Sequence, residues 1–334
     1  MFRYFFRKSL IVILLLLICT ASFASAGEKY SPKWSKVGIL PNSRSVDDYN
    51  WCGDSSIIYF HITSEMYDDF RGGIMLYDVK TGKRRWISKD SNTGVGFCNA
   101  DGSVVYWYSK NGLMAYDVKT SRARRTGIDV TKFKASICPS LINNTILVTG
   151  VGRTQLASSL SNKLPGWRIL IRKDEYRSIT HPCGNNLARD GDYVYYWDKH
   201  SHTGKTQLSI YDADGKLQRV IDNIPINVDD SRVFIVSGGF YLLDKSNHLI
   251  KRIDIKTGKT TSYPVQENTQ GFDINSKGEL IYWVSTHKGP NIWFANKLGD
   301  ASFLLEYEGS SPRFSPTGKY LYFHEKGVVV LERK

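Results

Sequence analysis

The sequence predicts an all-β chain folded as a ring of seven like, four-stranded sheets, and three observations predict it. A turn followed by an aromatic-rich strand recurs seven times, a hairpin signature recurs inside the copies, and the first and last copies are incomplete in complementary ways. The copies read YNWCGDSSIIYF from Tyr49, VGFCNADGSVVYWY from Val95, ASICPSLINNTILV from Ala135 and HPCGNNLARDGDYVYYW from His181. They continue as VFIVSGGFYLLD from Val233, GFDINSKGELIYWV from Gly271 and SPRFSPTGKYLYF from Ser311.

The second copy shows the plan of each element. VGFCNAD is an inner strand, Asp101-Gly102 a tight turn, and SVVYWYS, GLMAYDVKT and RARRTGI are three more short segments rich in β-branched and aromatic residues. The third segment ends in a hairpin signature: Tyr77 to Gly82, Tyr116 to Ser121, Tyr211 to Gly215 and Ile253 to Gly258. In each, Asp caps the turn with its side chain, and the residue that takes a positive φ is usually Gly.

Setting aside 26 N-terminal residues leaves 308, or 44 per copy, which matches the roughly 40–45 residues of a four-stranded propeller blade. The expected architecture is therefore a single seven-bladed β-propeller over 27–334, without linkers or low-complexity segments. The last copy offers strands near Phe314, over 319–324 and over 327–331, one short of a blade, whereas Trp34–Leu40 is a strand without a blade. Giving the N-terminal strand to the last blade closes the ring and removes two exposed sheet edges.

The N-terminus reads as an export signal. Arg3, Arg7 and Lys8 precede an apolar run from Leu10 to Ile18 and small residues ending Ala24-Ser25-Ala26. This is the layout of a signal peptide, residues 1–26, cleaved after Ala26. Nine apolar residues fall short of the ~20 that span a bilayer, so the mature chain is expected to be secreted or periplasmic, soluble and monomeric. The formal charge is +13, of which the leader supplies three. The remaining excess favours anionic surroundings, although part of it belongs to solvated hairpin turns. Acidic glycans are the expected anions; nucleic acid is not.

Cys52, Cys98, Cys138 and Cys183 take matching positions in the first four copies. In an exported chain this points to disulfides, with three possible connectivities. Cys52–Cys98 with Cys138–Cys183 would join neighbouring inner strands. Buried thiols are the alternative, because equivalent side chains in successive blades point the same rotational way and a bridge tolerates only ~7 Å between Cα atoms. Without CxxC spacing, the cysteines make no metal site.

The segments SPRFSPTGKYLYF and DGSVVYWYSKNGLMAYDVKT resemble the repeats of TolB-type, WD40-like β-propellers, and the resemblance spans residues 34–334. It implies architecture rather than function. The expectation is a lone propeller, without the additional N-terminal domain of TolB and without a following hydrolase domain.

In such a fold the turns joining second to third strands, and those joining blades, emerge on one face. Residues 63–72, 151–166, 199–205 and 286–291 are long connections there, and variable loops on a rigid frame commonly carry function. The candidate ligand-binding residues are His61, Tyr67, Asp68, Arg71, Arg153, His181, Asp198, His200, His202, His287, Lys288 and His324, with His248 on the same side. Convergent imidazoles can hold a divalent metal or act as general acid and base; single ones merely decorate hairpins.

Lys83-Arg84-Arg85 with Trp86, and Arg122-Ala123-Arg124-Arg125, are basic patches suited to phosphate or sulfate groups. They fall on outermost strands, where Lys and Arg also guard edges. Asn143-Asn144-Thr145 is a glycosylation sequon in a eukaryotic setting. There is no nucleophile elbow, phosphate loop or zinc-protease helix, and helix content is expected to be close to nil. The leading reading is a non-enzymatic propeller, free of cofactors, that binds a partner protein or an anionic glycan. The alternative is a metal-dependent polysaccharide or lactone lyase, which the resemblance to histidine-bearing propeller lyases implies.

Overall fold

Residues 33–41, 49–66, 69–90, 96–133, 135–140, 144–171, 187–188, 193–199, 206–212, 216–222, 234–296 and 301–334 are described in the computed structural model, and most of them are strand. After β1 (Trp34–Leu40), the first sheet is a meander of β2 (Tyr49–Cys52), β3 (Ser56–Met66), β4 (Asp69–Asp78) and β5 (Arg84–Ser88). The second repeats it with β6 (Phe97–Cys98), β7 (Val104–Ser109), β8 (Gly112–Asp117) and β9 (Arg122–Ile128).

The next two copies depart from the four-stranded expectation. The third sheet holds β10 (Ala135–Ser140), β11 (Thr145–Gly150) and β12 (Arg168–Ile171). Between β11 and β12 lies a helix, α1 (Arg153–Lys163), and the crossover makes these two strands parallel. This corrects the expectation of negligible helix: residues 151–166, read as an open loop, bury Leu156, Ala157 and Leu160 against neighbouring strands. Next, β13 (Leu187–Ala188) pairs in parallel with a later inner strand, leaving β14 (Tyr193–Lys199), β15 (Thr206–Asp212) and β16 (Leu217–Asp222) as a three-stranded meander.

The regular plan then resumes. β17 (Phe234–Val236), β18 (Gly239–Asp244), β19 (Leu249–Asp254) and β20 (Thr260–Pro264) form the fifth sheet together with β13. The sixth comprises β21 (Thr269–Ile274), β22 (Leu280–Thr286), β23 (Gly289–Ala295) and β24 (Ala301–Glu308). The last contains β25 (Ser310–Phe314), β26 (Tyr320–Glu325) and β27 (Gly327–Arg333), and β1 completes it by pairing antiparallel with β27 from Trp34↔Arg333 to Leu40↔Val328.

Strand alternation builds the core. In β3, Ile57 and Tyr59 pack towards the last sheet, whereas Ile58, one residue out of phase, packs towards the second. Both faces of the middle strands are thereby covered, and β18 is buried at every position. Such strands read as apolar runs rather than as polar alternation. Among the described residues, core clusters join the first sheet to the second, second to third, fourth to fifth, fifth to sixth, sixth to last, and last to first.

The hairpin signature behaves as its chemistry requires. Thr81, Thr120 and Thr257 donate their backbone N–H to Asp78, Asp117 and Asp254 at 2.9, 2.6 and 2.7 Å. Gly82 and Gly258 take positive φ, and Ser121 takes φ 56° at the same place.

Candidate binding face

The meander gives every sheet two unlike ends. At one end, the turns between first and second strands tie four successive pairs of sheets together among the described residues, from the sixth and last round to the second and third. Thr317 of the last sheet donates N–H and hydroxyl bonds to Asp54 of the first at 2.9 and 2.7 Å. Gly53 lies so near the second sheet that a Cβ there would stand 2.7 Å from the Asp101 carbonyl. Beside it, Cys52 and Cys98 form a disulfide with Cα atoms 5.3 Å apart. The objection that equivalent positions point the same way therefore fails for this pair. The backbone of Cys138 lies on β10, its side chain and all of Cys183 fall outside the described residues, and the pairing of these two is left as read from sequence. Ala100 N–H reaches Asn144 Oδ1 of the third sheet at 2.6 Å.

The same end joins the sixth sheet to the last. Arg333 donates two bonds to the Glu279 carboxylate, at 2.6 and 2.9 Å, and Asn275 adds a third at 2.7 Å. Burial acts to raise the Glu279 pKa, but these donors prevail and hold it below the ordinary carboxylate range.

The opposite end carries the connections between second and third strands, and the described candidate residues follow it. His61 lies on β3, Arg153 opens α1, His248 sits in the β18–β19 turn, and His287 and Lys288 form the β22–β23 turn. His324 is the penultimate residue of β26. The backbones of Arg71 and Asp198 lie on β4 and β14. Tyr67, Asp68, His181, His200 and His202 lie outside the described residues.

Two of these histidines belong to one construction. Aromatic rings run through the seam between last and first sheets: His324 meets the edge of Tyr49 at 5.2 Å, Tyr49 stacks on Tyr59 at 5.4 Å, and Tyr59 meets His61 edge-on at 6.2 Å. His61 then faces Trp86 at 5.5 Å. The sequence signal for this ladder is the repeated Tyr-Phe-His of 59–61 and 322–324, whose Tyr and His share one strand face. Burial, followed by the nearby Arg84 charge, lowers the His61 pKa, so its imidazole is neutral at pH 7. Its Nδ1 is enclosed and has no hydrogen-bond partner among the described residues.

His287 and Lys288 are instead exposed on a turn fastened by the Thr286 hydroxyl to Gly289 O at 2.6 Å. Among the described residues, no group of three or more His, Cys, Asp or Glu is placed to hold a metal ion. The described histidines thus share an end of the sheets but not a centre.

No family model matches the chain, and no curated protein sequence does. Solved structures do match. Raptor from Chaetomium thermophilum superposes with TM-score 0.53 at 12% identity, over 91% of this chain and 29% of that one. Oligogalacturonate lyase from Vibrio parahaemolyticus gives 0.50 at 10% identity, over 91% and 94% of the two chains. TolB from Acinetobacter baumannii gives 0.43 at 9% identity, over 86% of this chain and 65% of that one. This chain therefore spans under a third of Raptor and about two thirds of TolB. The matches to Raptor and to the lyase, each at a TM-score of 0.50 or above, support a propeller architecture for this mostly-β chain. Likeness at this identity speaks to fold alone. No described helix is long and apolar enough to cross a membrane.

Proposed function

We propose that the chain is an exported, seven-bladed β-propeller closed by β1, which works as a non-enzymatic binding module. Its partner, a protein or an anionic glycan, docks on the end that carries the second-to-third-strand connections. The observation that carries this reading is the inequality of the two ends: one is committed to ties between sheets, and the other carries an inserted helix and the exposed His287-Lys288 turn. Residues released from holding the frame are those a binding surface can use. Cleavage after Ala26 into a secreted or periplasmic compartment agrees with the Cys52–Cys98 bridge, since disulfides persist where conditions are oxidising.

The test replaces the exposed His287 and Lys288 together by Ala. Binding to immobilised envelope proteins and to an array of acidic glycans should fall at least about tenfold, the loss of one to two charge-assisted contacts, with an unchanged unfolding midpoint. Retained binding to every partner sinks the reading. A metal-dependent lyase is the second reading, favoured by the lyase among the structural neighbours and by the histidines sharing one end. Metal analysis of the purified protein and a chelator-sensitive absorbance assay on polygalacturonate decide between them.

A further inference from the structure

We propose a second binding surface, outside the connection end, for an acidic polysaccharide: the exposed outer edge of the second sheet, centred on Arg122, Arg124 and Arg125. It is independent of the face proposed above.

The chain's charge is unevenly distributed. Residues 80–168 hold fifteen Lys or Arg against four Asp or Glu, so this stretch alone supplies eleven of the net +13. Folding gathers part of that charge onto β9, the outermost strand of its sheet, where Arg122, Arg124 and Arg125 are all exposed. Lys119 stands in the preceding turn, and the Lys163 side chain crosses from the end of α1 to within 3.8 Å of where a Cβ on Gly127 would be.

Two roles that would account for arginines on an outer strand fit these poorly. The first is joinery. Arg85 on β5 donates to Val118 O of the next sheet at 2.8 Å, and Arg219 on β16 makes the same kind of bond to Ile255 O at 3.4 Å. The guanidiniums of Arg122, Arg124 and Arg125 make no hydrogen bond or ion pair among the described residues, although their backbones pair with β8. The second is edge protection. Outer strands here do not need a wall of charge: β20 reads TTSYP and β16 has a single arginine balanced by an aspartate, and the arginines of β5 are spent on bonds to neighbouring sheets, Arg84 to Ile39 O and Arg85 to Val118 O.

Arg122 and Arg124 share one face of an extended strand, two residues or about 6.8 Å apart at ~3.4 Å per residue, and Arg125 follows on the other face of the same edge. Each presents a planar fork suited to carboxylate or sulfate, and a linear polyanion running along the edge meets Arg122 and Arg124 in succession with Arg125 at its flank. The edge offers little to a folded protein partner, since none of the exposed large hydrophobics Ile39, Val151, Leu217 and Val220 lies on it. It offers little to single-stranded nucleic acid, which needs rings to stack on. The one aromatic of β5 and β9, Trp86, is packed against His61 and the first-sheet core.

The experiment compares wild type with two triple variants of equal charge change: Arg122→Ser/Arg124→Ser/Arg125→Ser, and a control, Lys216→Ser/Lys256→Ser/Lys259→Ser, on exposed third-to-fourth-strand hairpins of the fourth and fifth sheets, away from the connection end. Binding to heparin and to polygalacturonate is measured by fluorescence titration across salt concentrations, with duplex and single-stranded DNA as further arms and thermal unfolding as the folding check. The arginine variant should lose at least about tenfold in affinity for a polysaccharide and show a shallower salt dependence, while the control stays within about twofold of wild type. Equal loss in both variants would mean that net charge alone drives binding and overturns the proposal, as does unchanged binding in the arginine variant. Tighter binding of either DNA than of both polysaccharides, lost in the same variant, overturns the choice of occupant.

Discussion

The two ends of the sheets do different work. At the end formed by first-to-second-strand turns, neighbour is joined to neighbour by Glu279–Arg333, Thr317–Asp54, Cys52–Cys98 and Ala100–Asn144 in succession. At the other end the connections vary in kind, from the tight turn between Ser109 and Gly112 to an eleven-residue helix. With the hydrogen-bonded and covalent ties between sheets concentrated at one end, the connections at the other can differ from sheet to sheet without loss of the frame. Substitutions at the joined end should therefore change stability and leave binding alone, and substitutions at the free end should do the reverse.

The largest effect belongs to Trp51, which is nearly buried, donates to Arg313 O across the seam at 3.3 Å and packs on Tyr322 at 5.5 Å. Trp51→Ala should cost about 3–5 kcal/mol in urea unfolding; a cost below about 1 kcal/mol would show that the seam is not where the frame is held. Removing the bridge with Cys52→Ser/Cys98→Ser should cost about 2–4 kcal/mol, and reductant should lower the midpoint of wild type but not of the variant.

Next comes Arg333→Ala, expected to cost about 2 kcal/mol, because it strips the buried Glu279 carboxylate of its main donor. It carries a pH signature. The folded pKa of Glu279 lies below its unfolded value, so the pair stabilises fully above the unfolded pKa, and that stability is lost as pH falls through the folded one. Acid titration of the unfolding midpoint should be steeper in wild type than in the variant. The smallest effect is at the free end, where His287→Ala should stay within about 0.5 kcal/mol of wild type; a larger loss would blur the distinction between the ends.

Much of this frame could be read before folding. Asp-capped hairpins, apolar middle strands and the bladeless Trp34–Leu40 strand each follow from local chemistry, and the pairing of β1 with β27 is among the features anticipated. The helix was not legible. Residues 153–163 offer only Leu156, Ala157 and Leu160 as a buried stripe, and Gly152 at the N-cap makes no side-chain cap, so the usual start signal is absent. Nor could spacing alone choose between bridged and free Cys52 and Cys98, since bond formation depends on how two sheets are inclined. In the aromatic ladder, alternation marks Tyr59 and His61 for one strand face, but only the packing of sheets reveals that this face meets Tyr49 and His324.

The strand β1 and its mate β27 stand at opposite extremes of the sequence, Trp34 beside Arg333. A polypeptide emerging amino-end first would hold Trp34–Leu40 without a mate until Gly327–Arg333 has appeared. Its backbone donors and acceptors would meanwhile need water, or a chaperone's edge, to satisfy them. Completion of this sheet would thus wait on the synthesis of β27, and a polypeptide cut short before that strand would present an open edge to whatever lies nearby.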